Sequence, residues 1–230
     1  MQDKDKNETL TPSRGLKMTN SHYETLTPSR GLKIYDISQE VFGCKVFPGD
    51  PSPAREVMMK ISDGEICNLS GLKMCAHNGT HVDAPYHFYD EGKTIDEVDI
   101  DRFIGYAFVA EHEGDIGAED IKKILARAKE ADERSAMRIL IKGNAVLSKE
   151  AAEVLAAEKI KLFGNESQTV GPENAPKEVH LIMLGAEIVL LEGIRLAGVP
   201  EGVYILHAAP LNLAGCDGSP CRATLISPEI

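Results

Sequence analysis

The stretch HNGTHVDAPYHF, residues 77–88, places three of the chain's seven histidines and an aspartate within twelve residues. His77 and His81 are four apart, His81 and Asp83 two apart, and Asp83 and His87 four apart. Four-residue spacing suits one face of a helix and two-residue spacing one face of a strand, so no single regular element presents all four together. The backbone must therefore change conformation inside the segment. Gly79 permits dihedrals closed to other residues, and Pro85 keeps Ala84 out of the helical region. An irregular segment of this kind lets side chains converge on a point, which is what a metal ion requires.

Neutral imidazoles and carboxylates suit zinc and other divalent first-row metals, and a catalytic site typically combines three protein ligands with a position left for water. His77, His81 and Asp83 supply three. Water on such an ion loses a proton near neutral pH and becomes able to attack a carbonyl. Hydrolysis is the expected output. His22, His112 and His207 stand apart from any such cluster and read as ordinary surface or core residues.

The 230 residues, 43% of them hydrophobic, suffice for one main domain with a sizeable core. A net charge of −11 sets the chain against a nucleic-acid backbone or an anionic membrane surface, since both repel it at long range; a small molecule or another protein is the expected partner. No run approaches the roughly 20 apolar residues that span a bilayer, and the charged start MQDKDKNETL lacks the apolar core of a secretory signal, so a cytosolic address is expected. The five cysteines form no CxxC pair and read as small buried hydrophobes rather than a disulfide framework or a thiolate zinc site.

The segment ETLTPSRGLK occurs at residues 8–17 and again, letter for letter, at 24–33. One perfect copy with no further periodicity is unlike a solenoid. Residues 1–32 therefore read as a leader, either a duplicated start left by expression or a flexible arm, and residues 33–230 as the domain.

From Lys33 onward the pattern is globular. LKIYDIS, REVMMKIS and EICNLSGLKMC read as strands, with VFPGDPSP a loop between the first two. IGYAFVAEH is an apolar strand, and AEDIKKILARAKEA is a helix with Ile121, Ile124, Leu125 and Ala128 on one face. Its Glu119, Asp120, Lys122 and Lys123 read as a solvated face. MRILIK is a buried strand, SKEAAEVLAAE a helix capped by Ser148, KLFGN a short strand and PKEVHLIMLGA a helix. EIVLLEG, GVYILHAAPL and CRATLI close the chain as strands. Alternation in the second half implies a parallel or mixed sheet covered by helices, and the first half suggests hairpins. The expected class is α/β, a single domain with a mixed sheet and an extra β layer.

The run from His77 to Phe88, of the form H-x-G-T-H-x-D-x-P-x-H-F, resembles the signature of the metal-dependent cyclase family, which includes bacterial kynurenine formamidase and isatin hydrolase. YDISQEVFGCKVFPGD resembles the family's early segment, with Phe47 where tryptophan is usual. LEGIRLAGVPEGVYILHAAPLNLAGCDGSPCRATLI resembles its closing segment, so the likeness spans roughly residues 33–230.

The resemblance implies a swivelling β/β/α fold, a homodimer or homotetramer, and one or two divalent ions per subunit, zinc or manganese. By it, His77, His81 and Asp83 hold the first ion, while a second shares Asp83 and is completed by His180 and Glu192. His87 then relays a proton between attacking water and leaving nitrogen, as general acid–base chemistry asks of a group titrating near neutrality. Thr80 and Asn78 are candidate hydrogen-bond donors around the ligands. Asp50 reads equally as a turn former, and Asp217 and Arg222 equally as a turn residue and a structural ion pair. The implied activity is amide hydrolysis, with N-formylkynurenine converted to kynurenine and formate. Hydrolysis of a cyclic amide or lactone is the alternative, and metal or small-acid binding without catalysis a second one.

Overall fold

A computed structural model describes residues 32–227 of the chain. The leader, with both copies of its repeat up to Gly31, lies outside the described residues, as does His22.

The first half supplies five strands: β1 (Ile34–Asp36), β2 (Ala54–Met59), β3 (Leu69–Lys73), β4 (His81–Asp83) and β5 (Ile104–Glu111). Next come β6 (Gly114–Ile116), α1 (Ala118–Ala131), β7 (Arg138–Lys142), β8 (Ala145–Leu147), α2 (Lys149–Glu158), β9 (Leu162–Asn165), α3 (Lys177–Gly185) and β10 (Val189–Glu192). The chain ends on β11 (Gly202–His207), β12 (Gly218–Pro220) and β13 (Thr224–Ile226). β5, β7, β9 and β10 run parallel, joined through α1, α2 and α3, which is the expected alternating half. Antiparallel strands extend the sheet on both sides, giving nine strands in the order β1-β13-β11-β5-β7-β9-β10-β4-β12.

The central strands read as continuous apolar runs because both faces are covered. Phe108, Ala110, Ile139, Ile141, Phe163 and Leu190 face the helices and meet Ile121, Ile124, Leu125 and Ala128 of α1. Their alternating neighbours Ala107, Val109, Leu140, Leu162, Val189 and Leu191 face a second core with Val82, Leu206 and Leu225. Only three residues separate β12, at one edge of the sheet, from β13, next to the other. In a flat sheet those strands would stand about 34 Å apart, at ~4.8 Å per spacing. Four residue steps reach about 14 Å. The sheet must curl, and the expected extra β layer is the antiparallel part of this one sheet folded over the second core.

Two local expectations change. EICNLSGLKMC is a strand only from Leu69, because Asn68 turns back to accept a hydrogen bond from the Ile61 amide. The cysteines meet the expectation of small buried hydrophobes only in part: Cys216 and Cys221 are half-buried and pack against the second core, whereas Cys44 and Cys75 are half-buried outside it and Cys67 is exposed near a hairpin turn, all five as free thiols. Elsewhere, Ser148 caps α2 through the Ala151 amide, and Asp120 caps α1 by accepting from the Gly117 amide.

Candidate metal centre

β4 lies between β10 and β12, and this pairing builds the site. His81 and Asp83, two apart on a strand, share a face. The antiparallel register sets Glu192 directly opposite His81 and Gly218 opposite Asp83. The segment changes conformation three times, as its spacing requires. Gly79 turns with φ +72°, residues 81–83 are extended, and Pro85–His87 close a 3-10 turn after Ala84, held at ψ 160°. The turn swings His87 back over His77, their ring centres 4.1 Å apart. Gly218 makes room for this: a Cβ there would stand 2.8 Å from the His77 ring.

All six expected residues meet here. His77 Nδ1 lies 2.9 Å from Asp83 Oδ1. His81 donates from Nδ1 to the Gly79 carbonyl at 3.0 Å, which turns its Nε2 to within 3.4 Å of both Asp83 and Glu192. His180, on α3, donates from Nδ1 to the Pro176 carbonyl at 2.8 Å, leaving Nε2 3.3 Å from Glu192 and 3.8 Å from Asp83. In both residues a backbone acceptor fixes the ring and presents the other nitrogen to the carboxylates, the arrangement that orients a metal-ligating histidine. The potential ligand atoms of His81, Asp83 and Glu192 lie within 4.8 Å of one another, and so do those of His77, Asp83 and His87. Asp83 belongs to both groups, while His77 stands with His87 rather than with His81.

Asp83 and Glu192 are 1% and 2% exposed, and neither has a lysine or arginine partner among the described residues. Burying such carboxylates is costly unless positive charge meets them. Here imidazoles meet them. Burial works against a charged His77, but Asp83 and Asp217 outweigh it and push its pKa up to about 11. His180 is likewise opposed by burial and carried up to about 8 by Glu192 and Asp83. Burial also opposes ionised Asp83, yet His77, His81 and His87 hold its carboxyl below the usual range. The centre thus draws protons onto its histidines, and a divalent cation would meet the same demand with ligands of the right chemistry.

Asp217 is the residue whose importance the sequence leaves undecided. One oxygen, Oδ2, lies 2.8 Å from His77 Nε2 and 3.0 Å from His87 Nδ1, so a single carboxylate fixes both rings. Its signal was its place in the closing GCDGSPCR run. Arg222 forms the structural ion pair, with Asp36. Thr80 ties the turn down by donating to the Gly193 carbonyl and accepting from the Gln39 amide, and Asn78 accepts from the Cys75 amide. Asp50 closes a turn onto Phe47 and also lines the cavity. That cavity, about 180 Å³, opens beside His77, His87 and His180 and is walled by Phe47 and Phe88. Phe88 stacks on His180 at 4.7 Å. His112 bonds the Asp115 carbonyl and His207 is exposed at the end of β11, consistent with ordinary roles.

Fold and site together define a class, a hydrolytic enzyme of mixed α/β architecture whose buried imidazoles and carboxylates suit a divalent metal. The cyclase family matches residues 35–172, and the chain belongs to that family. A kynurenine formamidase of Erythrobacter litoralis is 31% identical over 84% of this chain and 93% of its own length. One from Paracidovorax citrulli is 33% identical over 85% and 97%. Among solved structures, a potential metal-dependent hydrolase with cyclase activity superposes with a TM-score of 0.71 at 26% identity, covering 87% of this chain and all of its own. Isatin hydrolase A of Labrenzia aggregata, at 20% identity and a TM-score of 0.70 over 85% and 93%, shares the fold. No described helix is long and apolar enough to cross a membrane.

Proposed function

We propose that this protein is an arylformamidase, hydrolysing the formyl amide of N-formylkynurenine to kynurenine and formate. The observation that carries the reading is Asp83, buried and common to two groups of ligand atoms, with His87 at the cavity side. The substrate comes from the formamidases that match over more than nine-tenths of their own length.

His77, His81, Asp83, His180 and Glu192 would hold zinc or manganese, one or two ions per subunit. Bound there, a divalent ion acidifies water and polarises a carbonyl. The protein's own work is positional. Gly79 and Pro176 carbonyls keep the His81 and His180 rings turned to the carboxylates. Asp217 holds His87 by Nδ1, which leaves Nε2 to take the proton of attacking water and return it to the amine nitrogen as the C–N bond breaks. Phe47 and Phe88 flank the cavity, where an aryl ring can lie between them and exclude water from the amide. The enzyme is further inferred to be cytoplasmic and a homodimer or homotetramer, with no nucleic-acid or membrane partner.

The test is release of formate and kynurenine by metal-loaded protein, run beside isatin. Turnover of N-formylkynurenine supports the proposal. Turnover of isatin alone moves the protein to lactam cleavage. Metal binding without hydrolysis of either, or of a wider panel of formamides and lactams, leaves the binding reading.

A further inference from the structure

Asp50 stands apart from the other carboxylates around the metal centre. Asp83 and Glu192 face His81 and His180, and Asp217 faces His77 and His87. Asp50 lines the same cavity, half-buried, yet among the described residues no lysine, arginine, histidine or backbone amide reaches its carboxylate. Its one polar contact there is the Cys75 thiol, 3.9 Å from Oδ2. Thr169, 4% exposed on the same cavity, carries a hydroxyl with no hydrogen-bond partner among the described residues. The adjacent Gln168 is by contrast committed, donating to the Gly79 carbonyl and accepting from Gln39. Polar groups held inside a protein are normally paired, so this wall suits a ligand that brings polar groups of its own.

We propose that Asp50 is a specificity-determining residue that receives the ammonium group of an α-amino-acid substrate. The inference deepens the formamidase reading and rests on it. A carboxylate only accepts hydrogen bonds, so its partner must be a donor, and an ammonium group supplies donors together with opposite charge. N-formylkynurenine carries one, on a short flexible chain from the ring that bears its formamide.

Local structure prepares Asp50 for this role. Its amide donates to the Phe47 carbonyl at 3.1 Å, closing a turn through Gly49, whose φ of +104° favours glycine. The aryl wall at Phe47 and the carboxylate therefore sit on one turn, where they can address the ring and its amine together. A pocket sets specificity through a few such polar groups, because a substrate lacking the matching group leaves them unpaired. The substrate class is thus aryl formamides with a cationic amino-acid head, and formamides without the amine are poor substrates.

The experiment compares metal-loaded wild type, Asp50→Asn and Asp50→Glu on N-formylkynurenine and on its analogue with hydrogen in place of the α-amino group. Calorimetric affinities for kynurenine and deaminated kynurenine give a second readout. The wild type is expected to favour N-formylkynurenine by about 10- to 100-fold in kcat/KM, the range of one hydrogen bond to a charged group. Asp50→Asn should raise KM for N-formylkynurenine and Kd for kynurenine by that factor with kcat unchanged, and leave the deaminated compounds unaffected. Asp50→Glu should recover part of the loss. An asparagine variant that discriminates as the wild type does overturns the inference. So does one that loses kcat equally on both compounds, because Asp50 then serves the metal centre; the formamidase reading survives either result. A wild type that hydrolyses neither compound overturns that reading and this inference with it. One that hydrolyses and binds both pairs equally well overturns the inference alone, a result that requires no variant to fold.

Discussion

β4 and the strands of the β2–β3 hairpin follow one another in the chain, and their burial is reversed. β4 hides His81 and Asp83 completely, while the hairpin shows solvent Val57, Met58 and Leu72. Placement in the sheet accounts for the difference. β4 has a strand on each side and a core beneath Val82, so everything on it is dry. The hairpin pairs only with itself and is dry nowhere. Each region is therefore incomplete in the opposite sense: buried charge calls for a cation, and exposed apolar surface calls for another surface.

Asp83→Ala breaks the comparison hardest. Removing the carboxylate common to both groups should abolish metal binding and lower turnover by ~1000-fold or more. A variant that keeps its metal and its rate, by metal analysis and steady-state assay, removes the basis for reading β4 as a metal strand. His87→Ala should cost about 100- to 1000-fold in kcat while metal content stays at wild-type level, separating the proton-handling group from the ligands.

Asp217→Asn sharpens the picture at smaller amplitude. Losing one acceptor oxygen for two rings should lower kcat about 10- to 100-fold and shift the pH profile of kcat, whereas Asp217→Glu should recover part of the rate. An asparagine variant with unaltered rate and pH profile would make Asp217 a bystander.

Chelation reads the demand of β4 for positive charge directly. If the ion is present at a hundred times its dissociation constant, removing it costs about 2.7 kcal/mol, which lowers Tm by roughly 5–10 °C in a domain of this size. In the metal-free protein the histidines carry that demand. Their folded pKa values are raised, so the stability they add is complete below the unfolded value near 6.5 and disappears as pH climbs, through about 8 for His180 and about 11 for His77. Chelated protein should thus melt progressively lower from pH 6.5 upward. Metal affinity should move the other way and strengthen with pH, because binding displaces those protons. Scanning calorimetry and metal titration at pH 6.5 and 8.5 test both signs. The smallest effect belongs to the hairpin: Val57→Glu/Leu72→Glu should leave metal stoichiometry unchanged, and a loss of metal would show that the two regions are not independent.

Much of the parallel half was legible in the chain itself. Its strands are apolar runs and its helices carry an apolar face at helical spacing, so burial on both sides of the sheet is written residue by residue. Of the three-residue strands, β1 and β13 were legible in LKIYDIS and CRATLI, but β4, β6, β8 and β12 were not. β4 and β12 exist because β10 and each other offer hydrogen bonds, and a segment of three residues has too little pattern of its own to announce a strand. Asp217 was undecided for a similar reason: its partners are His77 and His87, 140 and 130 residues earlier, and only the curl of the sheet brings β12 against β4.

The sequence alone determined that residues 77–88 must bend, that three imidazoles and a carboxylate would gather, and that the second half would alternate strand and helix, since these follow from spacing and local backbone freedom. Tertiary structure decided the rest: that His81 faces Glu192 across a ladder, that one oxygen of Asp217 holds two rings, and that the hairpin is left uncovered. Those are consequences of which strands pair, and pairing is settled by the free energy of the whole curled sheet rather than by any short stretch of it.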